Sequence, residues 1–195
     1  MTQIETLMKR FFEIQNLIPE FESKCSSEII QASELIVNCI KAGGKILLCG
    51  NGGSAADSQH FAAELVSAFS RELSRPPISA MSLTVDTSII TAFSNDFNFE
   101  NVFARQVDAH GKQGDVLVAI TTSGSSKNCI YAARAAQALG MKVISLTKTE
   151  AEISKFSDQS IQVPSNNTQH IQECHIIAYH IMSELIENSL FGKES

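Results

Sequence analysis

The chain has 195 residues, 44% of them hydrophobic and 18% charged, enough for one globular domain with a sizeable core. Its net charge of −6, with no basic run, excludes nucleic-acid binding through a broad basic face, so an anionic ligand must be held by local donors rather than by bulk charge. No apolar run approaches membrane-spanning length, and Thr2-Gln3-Ile4-Glu5-Thr6-Leu7 mixes polar and apolar residues at helical spacing where a secretory leader would be apolar. The expectation is a soluble, cytoplasmic protein with no membrane and no nucleic-acid partner.

Two helices are predicted first, over 3–18 and 20–42, broken at Pro19 and ended by Gly43-Gly44. Ile29, Ile30, Leu35, Ile36 and Ile40 supply the helical spacing of the second. From 43 to 191 the pattern alternates. Strands are predicted around 45–49, 78–83, 115–120, 142–146 and 160–163, each a short continuous apolar run. Helices fill the gaps near 54–68, 87–94, 99–110, 126–139, 150–156 and 168–190. This is the signature of an α/β fold with a parallel sheet covered on both faces. Residues 1–195 read as a single domain without linker or repeat, with Lys193-Glu194-Ser195 as a frayed tail. The five cysteines, Cys25, Cys39, Cys49, Cys129 and Cys174, are scattered and lack CxxC pairing, so they read as reduced, mostly buried thiols.

Two strand ends carry most of the chemical information. Leu47-Leu48-Cys49 runs into Gly50-Asn51-Gly52-Gly53-Ser54, and Val116–Ile120 runs into Thr121-Thr122-Ser123-Gly124-Ser125-Ser126. Glycines let backbone approach an anion, hydroxyls donate to it, and the free N–H groups of the following helix complete a cradle. Two such turns predict a small phosphorylated ligand gripped at the top of the sheet.

Further polar groups surround this prediction. His60 and Glu64 stand four residues apart on the helix after the first turn and share a face. An isolated HxxxE pair is most often a surface hydrogen bond; here it lies less than three turns from an anion cradle, where it suits a divalent metal or an acid–base pair. The last helix holds Gln172, Glu173, His175, Tyr179 and His180 among Ile171, Ile176, Ile177, Ile181 and Leu185. At about 100° per residue, Gln172 and His180 share one broad face. Asn95-Asp96 is either a plain turn or an amide and a carboxylate placed to bond sugar hydroxyls. Pro164-Ser165-Asn166-Asn167-Thr168 reads as a turn and N-cap for the final helix.

These residues resemble the sugar isomerase (SIS) fold and, within it, the sedoheptulose 7-phosphate isomerases. The matching stretches are Gly50–Asp57, Gln59–Leu65, Asn95-Asp96, Gly114–Leu117, Thr121–Ser126, Gly140–Ile144 and Ile171–His175, collinear over nearly the whole chain. The resemblance implies a five-stranded parallel sheet, a homotetramer with active sites at subunit interfaces, and isomerisation of D-sedoheptulose 7-phosphate to D-glycero-D-manno-heptose 7-phosphate for lipopolysaccharide core heptose. It implies substrate contacts from Asn51, Gly52, Gly53, Glu64, Asn95, Asp96 and Gln172, and phosphate contacts from Thr121, Thr122, Ser123 and Ser126. It implies one Zn²⁺ per subunit on His60, Glu64, Gln172 and His180, with Glu64 and His180 as acid and base. The chain departs from the family pattern at Thr121 (usually Ser), Ser125 (usually Asn), Ala68 (often Arg, with Arg71 close by), Gln169 and His170.

Two other readings share the fold. One branch of the family binds the bacterial replication initiator without catalysis; the member compared lacks the carboxylate at position 64 and the imidazole at position 180, both of which this chain has. SIS domains also act as sugar-phosphate sensors in transcriptional regulators, but those carry an added DNA-binding domain for which a 195-residue chain already used by one fold leaves no room.

Overall fold

The computed structural model describes residues 1–192; the predicted tail Lys193-Glu194-Ser195 lies outside them. Five strands, β1 (Ile46–Gly50), β2 (Ala80–Ser82), β3 (Val116–Ile120), β4 (Lys142–Lys148) and β5 (Gln159–Val163), form one sheet in the order β2-β1-β3-β4-β5. Every pairing is parallel. Six α-helices accompany it: α1 (Gln3–Lys41), α2 (Gly53–Val66), α3 (Thr87–Asp96), α4 (Val102–His110), α5 (Lys127–Ala138) and α6 (Thr168–Phe191).

The apolar runs explain the two layers. Successive strand residues point to opposite faces, so Ile46, Leu48, Val116, Val118, Ile144 and Ile161 pack against α1, α2 and α6. Leu47, Cys49, Leu117, Ala119 and Val143 pack against α4 and α5 on the other side. A strand buried on both faces has to be apolar throughout, which is why these segments read as runs and not as alternations. All five cysteines are buried free thiols.

The expected break at Pro19 does not occur: α1 is one helix of 39 residues with Pro19 inside it. An internal proline forfeits a backbone hydrogen bond, at a cost of about 3 kcal/mol. Pro19 is exposed, as is Gln15, whose carbonyl loses its partner and can turn to water. Leu17, Phe21, Cys25 and Ile29 meanwhile bury one continuous stripe in the core. Packing of that stripe outweighs the local penalty. Gly43, at φ +77°, ends the helix as expected.

Other boundaries shift modestly. The β2 strand is only three residues long, and 99–110 opens with a 3₁₀ turn, Phe99–Asn101, before α4. The segment near 150–156 is a 3₁₀ helix, Glu152–Phe156. Asn167 caps α6 as predicted, its side chain accepting from the N–H groups of Gln169 and His170.

The α6 helix is fixed to the end of β4 by His175, which is wholly buried and bonds through Nε2 to the Thr147 carbonyl at 3.2 Å. Burial pushes this imidazole down to about 4 from 6.5. Between those values the unfolded chain binds a proton that the folded chain refuses. Stability is therefore full above pH 6.5 and falls as the pH drops toward 4, by about 3 kcal/mol for a difference of that size. Urea unfolding at fixed protein concentration should show this loss in the wild type and a shallower slope in His175→Gln; equal slopes would exclude His175 as the cause.

Candidate functional site

The strand order reverses between β1 and β3, since β2 lies beyond β1 and β4 beyond β3. Parallel strands splay their following helices apart at such a switch point and leave a crevice at their carboxyl ends. Both Gly/Ser-rich turns open into it. A cleft of about 80 Å³ there is lined by Asn51, Ser54, Ile120, Thr121, Thr122, Ser123 and Ser126.

The 121–126 turn is wound around its hydroxyls. Thr121 Oγ1 lies 3.3 Å from Ser123 Oγ and 3.1 Å from Ser126 Oγ, and it accepts from the Gly124 N–H at 3.2 Å. Gly124 has φ +68°, and a Cβ on it would lie 2.7 Å from Thr147 Oγ1, so the turn closes only with glycine. Ser126 is the N-cap of α5, yet its side chain makes no cap bond and stays within the hydroxyl cluster. Three hydroxyls and a helix N-terminus thus face one small space, the donor set an anion requires. Asn51 is held by a reciprocal pair of 2.8 Å hydrogen bonds with Asn128 on α5, which ties the first turn to the second.

The 51–54 turn has a second side. A Cβ at Gly53 would lie 2.6 Å from Gln172 Oε1, so glycine there leaves room for the Gln172 amide of α6 in its present position. Gln172 donates to Asp57 Oδ2 at 3.0 Å. One turn further along α2, His60 Nε2 meets Glu64 Oε1 at 2.9 Å, the pairing expected from their spacing. The His180 ring stands edge-on to His60, centroids 5.2 Å apart. The structure therefore brings His60, Glu64, Gln172 and His180 into one neighbourhood beside the cleft, across a sequence gap that carried no local signal.

Electrostatics differ along this group. Burial pushes the Asp57 carboxyl above its usual range, against the Gln172 amide and the charge of His60. Burial and the neighbouring His60 push the His180 imidazole below its usual range, while Glu64 pulls it the other way. A His180 held down in this way is unprotonated near neutral pH and free to accept a proton. As for a metal, no three His, Cys, Asp or Glu side chains among the described residues already stand at ligand spacing. The cluster nonetheless offers two imidazoles, a carboxylate and an amide oxygen, a nitrogen–oxygen set that a divalent zinc ion accepts. His60 and Glu64 now satisfy each other and would turn apart to share an ion.

Asn95 and Asp96 sit at the far end of α3, about 13 Å of helix from its start after β2. They are exposed and bonded to each other at 2.8 Å, and they do not line the cleft of this protomer. At the departures, Arg71 is exposed, and the guanidinium that reaches α2 is that of Arg75, which donates to the Glu64 carbonyl at 2.8 Å. Buried His170 lies between Glu13 at 3.1 Å and Glu173 at 2.9 Å, joining α1 to α6.

Sequence reasoning assigned no role to Asp57, Asn128 or Arg75. Each acts through a partner remote in sequence, so spacing gave no hint. Tyr179 was noticed only as one polar residue among several on α6.

A doubly wound parallel sheet with a hydroxyl-lined turn at its switch point defines a class of α/β protein suited to hold a small anionic ligand at its strand ends. Residues 11–148 match the SIS domain, and the chain belongs to that family. It is 44% identical over 195 residues to the phosphoheptose isomerase of Methylibium petroleiphilum, covering 97% of this chain and 96% of the relative. The solved phosphoheptose isomerase of Neisseria gonorrhoeae superposes with a TM-score of 0.90 at 42% identity, and that of Francisella tularensis with 0.92 at 37%; each match covers 96% of this chain and 100% of the other. Within the SIS domain family, the chain thus groups with the phosphoheptose isomerases.

Proposed function

We propose that this chain is a ketose–aldose isomerase that converts D-sedoheptulose 7-phosphate to D-glycero-D-manno-heptose 7-phosphate in the cytoplasm, toward lipopolysaccharide core heptose. The observation that carries this reading is the 51–54 turn, which joins an anion cleft on one side to a His–Glu–His cluster on the other. Isomerisation moves a proton between C1 and C2 through a cis-enediol, and it needs one group to take the proton, one to serve the two oxygens, and a fixed phosphate.

In this reading Thr121, Thr122, Ser123 and Ser126 hold the phosphate, and Asn51, Gly52 and Gly53 line the sugar. Asn95 and Asp96 reach the sugar bound by a neighbouring subunit of a tetramer. His180 and Glu64 exchange the protons, a role worth about 10²–10⁴-fold. His60, Glu64, Gln172 and His180 would hold one Zn²⁺, which when bound polarises the substrate carbonyl. A side chain that is bound to the ion is a poorer base, so ligand and base duties on Glu64 or His180 would be either exclusive or alternating. Association with further copies is supported by the exposed Ile4, Leu7, Met8, Phe11 and Phe12 on the first turns of α1, beside a groove of about 540 Å³; the number four comes from the resemblance.

The initiator-binding alternative is disfavoured because Glu64 and His180 are both present and adjoin the cleft. The deciding experiment is incubation of the purified protein with sedoheptulose 7-phosphate, with and without chelator. Aldose formation that chelation removes and zinc restores supports the full reading. Full activity after exhaustive chelation removes the metal from it, and no aldose under any condition removes the isomerase.

The phosphate assignment has its own test. Ser123→Ala and Ser126→Ala should each raise KM by about 10–150-fold, the equivalent of 1.5–3 kcal/mol for a hydrogen bond to a charged group. Unchanged sugar-phosphate affinity in the double variant would put the phosphate elsewhere.

A further inference from the structure

Tyr179 is wholly buried on α6, directly under the cluster. Its ring stacks on Phe61 of α2 with centroids 5.4 Å apart, and it stands edge-on to both His60 and His180. Its hydroxyl lies 2.9 Å from His60 Nδ1. His60 is therefore held at both ring nitrogens, by Tyr179 on one side and Glu64 on the other.

Hydrogen accounting sets the direction of each bond. An ionised Glu64 only accepts, so Nε2 of His60 carries the hydrogen that faces it. In the neutral ring Nδ1 is then an acceptor, and the Tyr179 hydroxyl must donate. We infer that Tyr179 is a positioning residue whose buried hydroxyl fixes the ring plane of His60, and so the direction in which His60 presents Nε2, while Glu64 sets the tautomer.

A hydroxyl suits this place better than a carbonyl or carboxylate. If Nε2 is given to a cation, the ring hydrogen moves to Nδ1, and the same hydroxyl can turn to accept it. Groups that can only accept would serve one arrangement and oppose the other. Phe61 stacks on the phenol ring and helps to hold its plane.

This inference rests on the isomerase reading for its effect on turnover, but not for its structural test. Tyr179→Phe removes the hydroxyl and keeps the stacked ring. In the metal-free protein, ¹⁵N spectra of the wild type should show His60 with a protonated Nε2 and an unprotonated, hydrogen-bonded Nδ1, and Tyr179→Phe should move the Nδ1 resonance toward that of an unprotonated imidazole nitrogen without a donor. Zinc affinity, read by chelator competition, should fall about 10–100-fold, as for loss of a partner behind a metal-bound histidine. In an active enzyme kcat should fall while KM for the sugar phosphate stays within about twofold, because the phosphate turn is untouched. Replacing Tyr179 by 3-fluorotyrosine, a stronger donor of nearly the same shape, should shift the Nδ1 resonance with the fold intact, which covers the case in which Tyr179→Phe does not fold. A His60 spectrum and zinc affinity unchanged in Tyr179→Phe would overturn the inference. An inactive wild type with the expected spectra would instead overturn only the isomerase reading.

Discussion

Glu64→Gln and His180→Gln are each expected to reduce isomerisation by about 10²–10⁴-fold, the range for loss of a positioned acid or base. Glutamine has nearly the volume of glutamate and can still bond His60, so the first change removes the capacity to carry a proton and the negative charge that would help hold a cation, but little of the packing. His180 is only partly buried, so its replacement disturbs the surface of α6 and not the core. Both variants should keep the wild-type melting temperature and oligomeric state, which separates a chemical loss from a structural one. The same loss should appear in kcat and in kcat/KM, because the group acts in the transition state and not in ground-state binding. Near-normal turnover in both variants would dismiss the assignment of acid and base.

The second large effect concerns stability. Glu187 on α6 is buried, and its carboxylate accepts from Arg75 Nε at 2.6 Å, the Phe69 N–H at 2.7 Å and the Ser70 N–H at 3.1 Å. Burial works against its ionisation, yet the Phe69 N–H, the guanidinium and the Ser70 N–H together hold it below the usual carboxylate range. Arg75 is itself fully enclosed and also bonds the carbonyls of Glu64 and Leu65, so it clamps the end of α2 to α6. Glu187→Ala leaves that guanidinium buried without a counter-charge and should cost about 3–5 kcal/mol in urea unfolding. A paired Arg75→Met, Glu187→Leu variant should recover only part of the loss, since it removes both charges but also takes their partners from the Phe69 and Ser70 N–H groups and the Glu64 and Leu65 carbonyls. A Glu187→Ala cost below about 1 kcal/mol would mean that water reaches Arg75. Because the folded carboxyl is held low, the contribution is present above the unfolded value and is lost as the pH falls through the folded one, in the same direction as the His175 effect.

Local features of the sequence foretold local features of the structure. Apolar runs at 46–49 and 116–120 became buried strands because a strand covered on both faces has no polar side to show. The turns at 50–54 and 121–126 were legible through glycines that the backbone requires: Gly52 and Gly124 have positive φ, and Gly53 makes room for Gln172. His60 and Glu64 were legible as a pair because one helical turn separates them.

What stayed hidden is long-range. Nothing within α6 says that it lies on α2, or that Gln172 meets Asp57 across 115 residues. The strand order, and with it the position of the crevice, depends on which helix covers which face. Pro19 misled because a local rule was applied to a helix that tertiary packing holds together. Tyr179 was visible as a residue, but its partner was not. Asn95 and Asp96 do not line the cleft of this protomer, so their spacing alone could not place them at it.

The most direct test of the isomerase account is to supply sedoheptulose 7-phosphate to the purified protein in D₂O and to read the sugar by NMR. The account predicts an aldose heptose 7-phosphate bearing solvent deuterium at C2, the mark of a proton taken and returned by a side chain, with both product and label lost in Glu64→Gln and His180→Gln. Substrate left unconverted and unlabelled by the folded, zinc-supplemented protein would contradict it.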